Sequence, residues 1–282
     1  MSMRAFLLQA VCLALLAVPG AAALAQPDAD DVPRRIVVAG DATYAPFEFA
    51  DEDGDAQGLL VDYWRLWGEK AGVEVEYRLM LPADALEAVR SGEADMLGGV
   101  FRTPGRIQDF GFSEAYLQLP THIFFDENLY GLSGPGDLKG FTVGVVNGDK
   151  AQEFLSREYP EISLLVFDSY QTLVQGAADG RIHVFVGDTP VALFHLTRLN
   201  QRARFRHASE PLYVSGVRAG VRRGDSDLLT FVEQGMALIS PAEMAALKRD
   251  WGTRFDQAPF PWRWLLGLAA VMLALALGAL VW

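Results

Sequence analysis

The segment RTPGR, residues 102–106, follows an apolar run that reads as a buried strand. A guanidinium held on such a loop can grip a carboxylate through two parallel hydrogen bonds, and Arg106 is the candidate. Asp188 stands at the matching exit of a second apolar run, where a carboxylate can pair with an ammonium group. A third exit, GDATYAPFEF at 40–49, sets Tyr44, Phe47, Phe49 and the carboxylate of Asp41 around a proline. An arginine facing an aspartate across a gap, with rings above it, suits an amino acid. Its carboxylate would go to Arg106, its amine to Asp188 and its apolar stem against Tyr44 and Phe47. Each side chain also has an ordinary structural use. Arg106 could pair with Asp109 or Glu114 at the surface, Asp188 could cap a helix opening at Thr189-Pro190, and Phe47 and Phe49 could be plain core.

The elements that must position these residues follow from periodicity. Residues 35–39, 73–80 and 95–100 read as strands, while Leu60, Tyr63, Trp64, Trp67 and Ala71 fall on one face of a helix closed by Gly72. A further helix spans 83–90. A second series follows, with strands at 141–146, 163–167 and 182–186 and helices at 150–158 and 171–178. The alternation predicts an α/β fold with parallel strands. Both series contain a helix, a glycine stop and a strand, with Gly92 and Gly180 in register, as are Gly99 and Gly187. This weak repeat suggests two lobes of one topology. Ligands of such sheets sit at the carboxyl ends of the strands, where the three loops above would meet.

The ends of the chain carry other signals. Residues 1–25 combine Arg4, an apolar stretch and the ending Ala23-Leu24-Ala25, as in a secretory signal peptide. Cys12 lies inside it and is the only cysteine, so the mature chain is expected to contain no disulfide and no cysteine-bound metal. Residues 264–282 are apolar without a charge, and with Trp262 and Arg263 at the boundary they predict a transmembrane helix over 262–282. The formal charge of -12 leaves no basic stripe for phosphates and argues against nucleic acid. His122, His183, His195 and His207 lack metal-ligand spacing, and no nucleophile triad, phosphate loop or catalytic carboxylate pair stands out. No catalytic residue, metal or cofactor is therefore expected.

GDATYAPFEF, QGLLVDYW, ALEAVRSGEADMLGGVFRTPGRIQDFGFSEAY, GDLKGFTVGVVNGD, the GDTP turn and AEMAALKRDW occur in an order that resembles bacterial solute-binding protein family 3, the periplasmic amino-acid-binding class. The resemblance covers residues 34 to about 255. It implies a two-lobed periplasmic-binding-protein type II fold of the Venus flytrap kind. Lobe 1 would take residues 34–120, lobe 2 residues 121–212, and residues 213–257 would return to lobe 1, with crossings near 117–123 and 213–221. It further implies that Asp41 and Tyr44 form the first binding loop, Gly99 offers a carbonyl, Thr103 a hydroxyl and amide, Arg106 the carboxylate clamp and Asp188 the amine contact. This chain departs from the family pattern at three places. Phe101 replaces a common Thr or Ser, Leu81 stands where an aromatic lid is usual, and Asp149 adds a negative charge at a helix N-terminus.

A domain of this kind tied to the inner membrane also resembles the exported sensor portions of bacterial histidine kinases and diguanylate cyclases. The expected function is a membrane-anchored, periplasm-facing receptor for an amino acid or similar small carboxylate, with a membrane-bound kinase, cyclase or permease as candidate partner. The alternatives are the binding component of an amino-acid ABC transporter and, further off, a cyclohexadienyl dehydratase-like enzyme.

Overall fold

The structure, a computed structural model, describes residues 35–255. The leader at 1–25 and the apolar segment at 262–282 lie outside them. Among the described residues no helix is long and apolar enough to cross a membrane.

The first part runs β1 (Arg35–Asp41), a ribbon of β2 (Thr43–Tyr44), β3 (Glu48–Ala50) and β4 (Ala56–Gln57), α1 (Leu59–Ala71), β5 (Glu74–Met80), α2 (Pro82–Ser91), β6 (Met96–Phe101) and β7 (Phe110–Phe112). A long strand, β8 (Leu117–Asp126), leads out of it. Next come β9 (Thr142–Val146), α3 (Lys150–Glu158), β10 (Ser163–Phe167), α4 (Tyr170–Ala178), β11 (Val184–Asp188), α5 (Thr189–Arg198) and β12 (Phe205–His207). The equally long β13 (Tyr213–Arg222) returns, and α6 (Ser226–Ala237) and α7 (Pro241–Phe255) close the described chain.

One sheet runs through the molecule in the order β10-β9-β11-β8-β13-β6-β1-β5. Pairing is parallel within each flank, β10 with β9 and β9 with β11 on one side, β6 with β1 and β1 with β5 on the other. It is antiparallel in the middle, where β8 pairs β11 and β13, and β13 pairs β6. The expected parallel pairing is found in the flanks. The middle is antiparallel because the chain passes between the two sides through extended strands, and a strand that goes out and one that comes back must oppose each other. Thr121 is the branching position of the register, opposite both Asp188 of β11 and Tyr213 of β13.

Two helices of the first part, α1 and α2, end where a glycine lets the backbone turn left-handed. Gly92 (φ 86°) closes α2, and its counterpart Gly180 (φ 75°) turns the chain just past α4. The apolar face of α1 is buried: Leu60, Tyr63, Trp64 and Trp67 are almost entirely covered. The two indoles are polar enough to need partners, and both have one. Trp64 Nε1 donates to Gly98 O (2.9 Å) and Trp67 Nε1 to Val232 O (3.0 Å), pinning α1 to β6 and α6. Trp67 also meets Phe231 edge-on at 5.8 Å.

Trp67→Ala removes this wedge and leaves a cavity beneath α6. The expected loss of stability is about 3–5 kcal/mol, measurable as a lower midpoint in chemical denaturation.

Candidate functional site

The carboxyl ends of the parallel strands from both flanks meet beside the β8–β13 pair, and a cavity of about 70 Å³ lies among them. Asp41 and Tyr44 reach it from the loop after β1, Gly99 and Phe101 from β6, and Arg106 from the short turn Arg106–Gln108. Asp149 reaches it from the other flank. Six of the nine expected site residues thus line one space.

Arg106 is not a surface ion pair. Asp109 pairs instead with Arg90 (2.9 Å), and the nearest cation to Glu114 is Arg218 (3.7 Å). The Arg106 guanidinium donates from Nη1 to Phe101 O (2.8 Å) and from Nη2 to Gly148 O (2.6 Å), bridging the two flanks. Burial lowers its pKa, opposed first by the charge of Asp149 and then by that of Glu153. Asp149 caps α3, accepting from Lys150 N (2.5 Å) and from Tyr170 OH (3.0 Å). Burial raises its pKa, and Arg106 is the largest influence against that rise. At Asp41, Oδ1 accepts from both Thr43 N (2.7 Å) and Thr43 Oγ1 (2.8 Å), and Oδ2 has no hydrogen-bond partner among the described residues.

Three expected contacts stand back from the cavity wall. Asp188 is 2% exposed and accepts from Thr121 Oγ1 (2.5 Å) and Tyr44 OH (2.5 Å), while its own amide donates to Tyr170 OH (2.9 Å). Its carboxylate is thus engaged by two hydroxyls and does not line the cavity. It is also no side-chain cap for α5. Thr103 is buried because its hydroxyl donates to Glu153 Oε2 (2.5 Å). Phe47 is core, 5% exposed, with its ring 5.6 Å from that of Tyr44. Of the expected aromatic roof, Tyr44 remains, joined by Tyr170 at 5.6 Å. Leu81, in the place of the expected lid, is exposed, and the next residue, Pro82, lines the cavity.

Sequence reasoning missed Glu48, Tyr170 and Leu86, which also line the cavity. Glu48 was readable as an acid set between two rings that should be inside. It is 2% exposed, accepting from Asp41 N (2.9 Å) and Tyr77 OH (2.5 Å), and so holds the binding loop against β5. Burial raises its pKa to about 8 and that of Asp41 to about 7. Asp188 is likewise raised to about 7, by burial first and the charge of Asp149 second. Among the described residues no group of acids, histidines or cysteines is arranged to hold a metal ion.

An arginine and several acids on one small space between two α/β halves joined by a pair of crossing strands is the anatomy of a binding protein. Residues 36–254 match the model of the bacterial extracellular solute-binding proteins, family 3. The chain belongs to this family. Among the family 3 relatives, ABC transporter arginine-binding protein 1 of Escherichia coli (strain K12) is 24% identical over 201 residues, 70% of this chain and 82% of the relative. Virulence sensor protein BvgS of Bordetella pertussis is 28% identical over 199 residues, 70% of this chain but 16% of that much longer protein. Among solved family 3 folds, a histidine kinase sensor domain similar to periplasmic binding proteins superposes with a TM-score of 0.73 at 26% identity, covering 78% of this chain and 97% of that one. An ancestral arginine-binding protein bound to arginine gives 0.71 at 25% identity, covering 78% and 99%. These relatives are binding proteins and sensor domains, not enzymes.

The buried acids set a pH dependence. Their folded pKa values lie above the ordinary carboxylate range, so the folded state holds protons that the unfolded chain releases. Their contribution is fully present below about pH 4 and is lost as pH rises through 7 to 8. Carboxylates shifted the other way, such as Asp126 and Asp137, lose their contribution only in more acidic solution. The melting temperature is therefore expected to fall between pH 5 and pH 8.5, by a free energy on the order of several kcal/mol. Glu48→Gln, which stays neutral, should flatten that fall in a calorimetric pH series.

Proposed function

We propose that the protein is a membrane-anchored, periplasm-facing solute-binding protein that takes an amino acid or similar small carboxylate between its two lobes and serves as a receptor or sensor. The observation that carries this reading is the convergence of Arg106, from one flank of the sheet, with Asp149, from the other, on a cavity that also holds Asp41. Arg106 uses two of its five N–H donors on backbone carbonyls, leaving three for a ligand carboxylate. Asp41 Oδ2 and Asp149 supply negative charge for an ammonium group. Ligand entry requires the lobes to part, and the parting would occur by bending of β8 and β13, the two strands that pass between them.

The receptor reading draws support from the likeness to the histidine kinase sensor domain, almost all of which this chain covers. Residues 262–282 supply the anchor, with a membrane-bound kinase or cyclase as the partner they would bring within reach. The transport reading, with an ABC permease as partner, draws on the arginine-binding relative, of which the chain covers 82%. In the anchored case the full-length protein stays in the membrane pellet after alkaline carbonate extraction; release into the supernatant would remove the anchor from the reading.

Thermal-shift screening against amino acids and small carboxylates tests the ligand. At a hundred times its dissociation constant, a true ligand should add about 2.7 kcal/mol to the stability of the protein. Arg106→Ala is expected to abolish that shift. A variant that binds the same acid with unchanged affinity would strike the clamp from the reading.

A further inference from the structure

The two halves of the sheet are joined by hydrogen bonds that the protein makes from its own groups. Arg106 Nη2 to Gly148 O (2.6 Å) and Tyr44 OH to Asp188 Oδ2 (2.5 Å) involve three residues of the cavity wall, Arg106, Gly148 and Tyr44. On α5, His195 Nε2 meets Thr43 O (3.1 Å), and a ring nitrogen facing a carbonyl has to carry the proton. A further pair stands apart from the cavity. Glu153, in the first turn of α3, accepts from Thr103 Oγ1 through Oε2 (2.5 Å) and from Gly105 N through Oε1 (2.8 Å). Both donors lie on the loop that carries Arg106, in the opposite half.

The placement of Glu153 distinguishes it from the other bridging groups. It borders an outer groove with Gly105, Gln152 and Ser156 and does not line the cavity, so its two bonds can be made whether or not the cavity is filled. Both oxygens are spent on one loop, and hydrogen bonds to a carboxylate are about twice as strong as those between neutral groups. Thr103 is 3% exposed, and the carboxylate its hydroxyl meets is the protein's own. The loop is also shaped to this carboxylate. Gly105 has φ −68°, which any residue adopts, yet a Cβ there would crowd Glu153, 3.1 Å from Oε1 and 3.3 Å from Cδ. Glycine serves the close approach at this position, not the turn.

We propose that Glu153 is a latch that closes on Thr103 and Gly105 and holds the two halves together before any ligand arrives. A ligand then reaches the cavity only on release of the latch. Removing the carboxylate leaves the Thr103 hydroxyl and the Gly105 amide without an acceptor as long as the halves stay together; separation returns both to water, so the balance moves towards the open form. This resting closure goes beyond the binding reading above and does not depend on which ligand the cavity takes.

Pulsed EPR distances in the full-length protein, dialysed and without added ligand, test it. Nitroxides are placed at Asp84→Cys on α2 and Glu161→Cys beyond α3, one exposed position in each half, in a Cys12→Ser background. A short distance is expected to dominate in the latched protein. Glu153→Ala is expected to raise the share of molecules at a longer distance about tenfold or more. Glu153→Gln, whose amide accepts at one atom only, should raise it less, and it keeps the test open if the alanine variant fails to fold. A long distance that already dominates the latched protein overturns the resting closure. A share unchanged in the folded Glu153 variants overturns the assignment of the latch to this residue. Either result leaves the ligand reading, which thermal-shift screening tests, as it stands.

Discussion

A positive charge taken partly out of water at the seam between two halves of a sheet is the constraint around which this molecule is arranged. The Arg106 guanidinium loses hydration there, and the loss has to be offset by hydrogen bonds and by negative charge. Phe101 O and Gly148 O provide the hydrogen bonds, one from each flank, and Asp149 provides the largest share of the charge. Because the two carbonyls belong to different halves, the solvation of this one side chain depends on how close the halves stand. Separation returns Arg106 to water, and approach demands partners for it. Under the proposed function a ligand carboxylate would be one such partner, and the same group would serve as clamp and as gauge of closure.

The acids around it then fall into two kinds. Asp41 and Asp149 face the cavity, whereas Glu48, which also borders it, and Asp188 hold the frame that carries them. Glu48 ties the backbone of Asp41 to Tyr77 on β5. Asp188 ties Tyr44, which roofs the cavity, to Thr121 on the crossing strand β8. Burial is the first cause of the raised pKa values of these acids, and the charge of a neighbouring acid adds to it at Asp188, Asp41 and Glu48. Protonation is the cheap way to keep them inside. The framework acids can be neutral without losing their place, since a protonated carboxyl still accepts on one oxygen and donates from the other.

How much of this was readable beforehand depends on the distance along the chain over which each fact is decided. The helix over 59–71 was legible because its buried face repeats every three or four residues and Gly72 ends it, both local properties. Arg106 was legible from its position just beyond a buried strand. Asp188 was legible as important but not as to its role, because the groups that claim its carboxylate, Thr121 and Tyr44, lie 67 and 144 residues away. Phe47 failed for the opposite reason: a ring beside a binding loop looks the same in sequence whether it faces ligand or core. Glu48, between Phe47 and Phe49, was the overlooked signal. A short strand that buries its acid and leaves the following ring only partly covered inverts the usual alternation, and the inversion marks the inner wall of the loop.

The position of α7 decides which half carries the end of the described chain. Trp251 Nε1 donates to Asp62 Oδ2 on α1 (2.9 Å), and its indole meets Phe49 edge-on at 6.2 Å. Phe49 is opposite Thr43 in the ribbon, and Thr43 bonds Asp41. The last helix is thus packed against the loop that brings Asp41 and Tyr44 to the cavity, on the β1 side of the sheet. If the halves move as bodies about β8 and β13, α7 keeps its relation to Asp41 and changes its relation to Asp149 and α3. In that frame the half bearing Asp149 moves relative to α7 and carries α3, α4 and α5 with it.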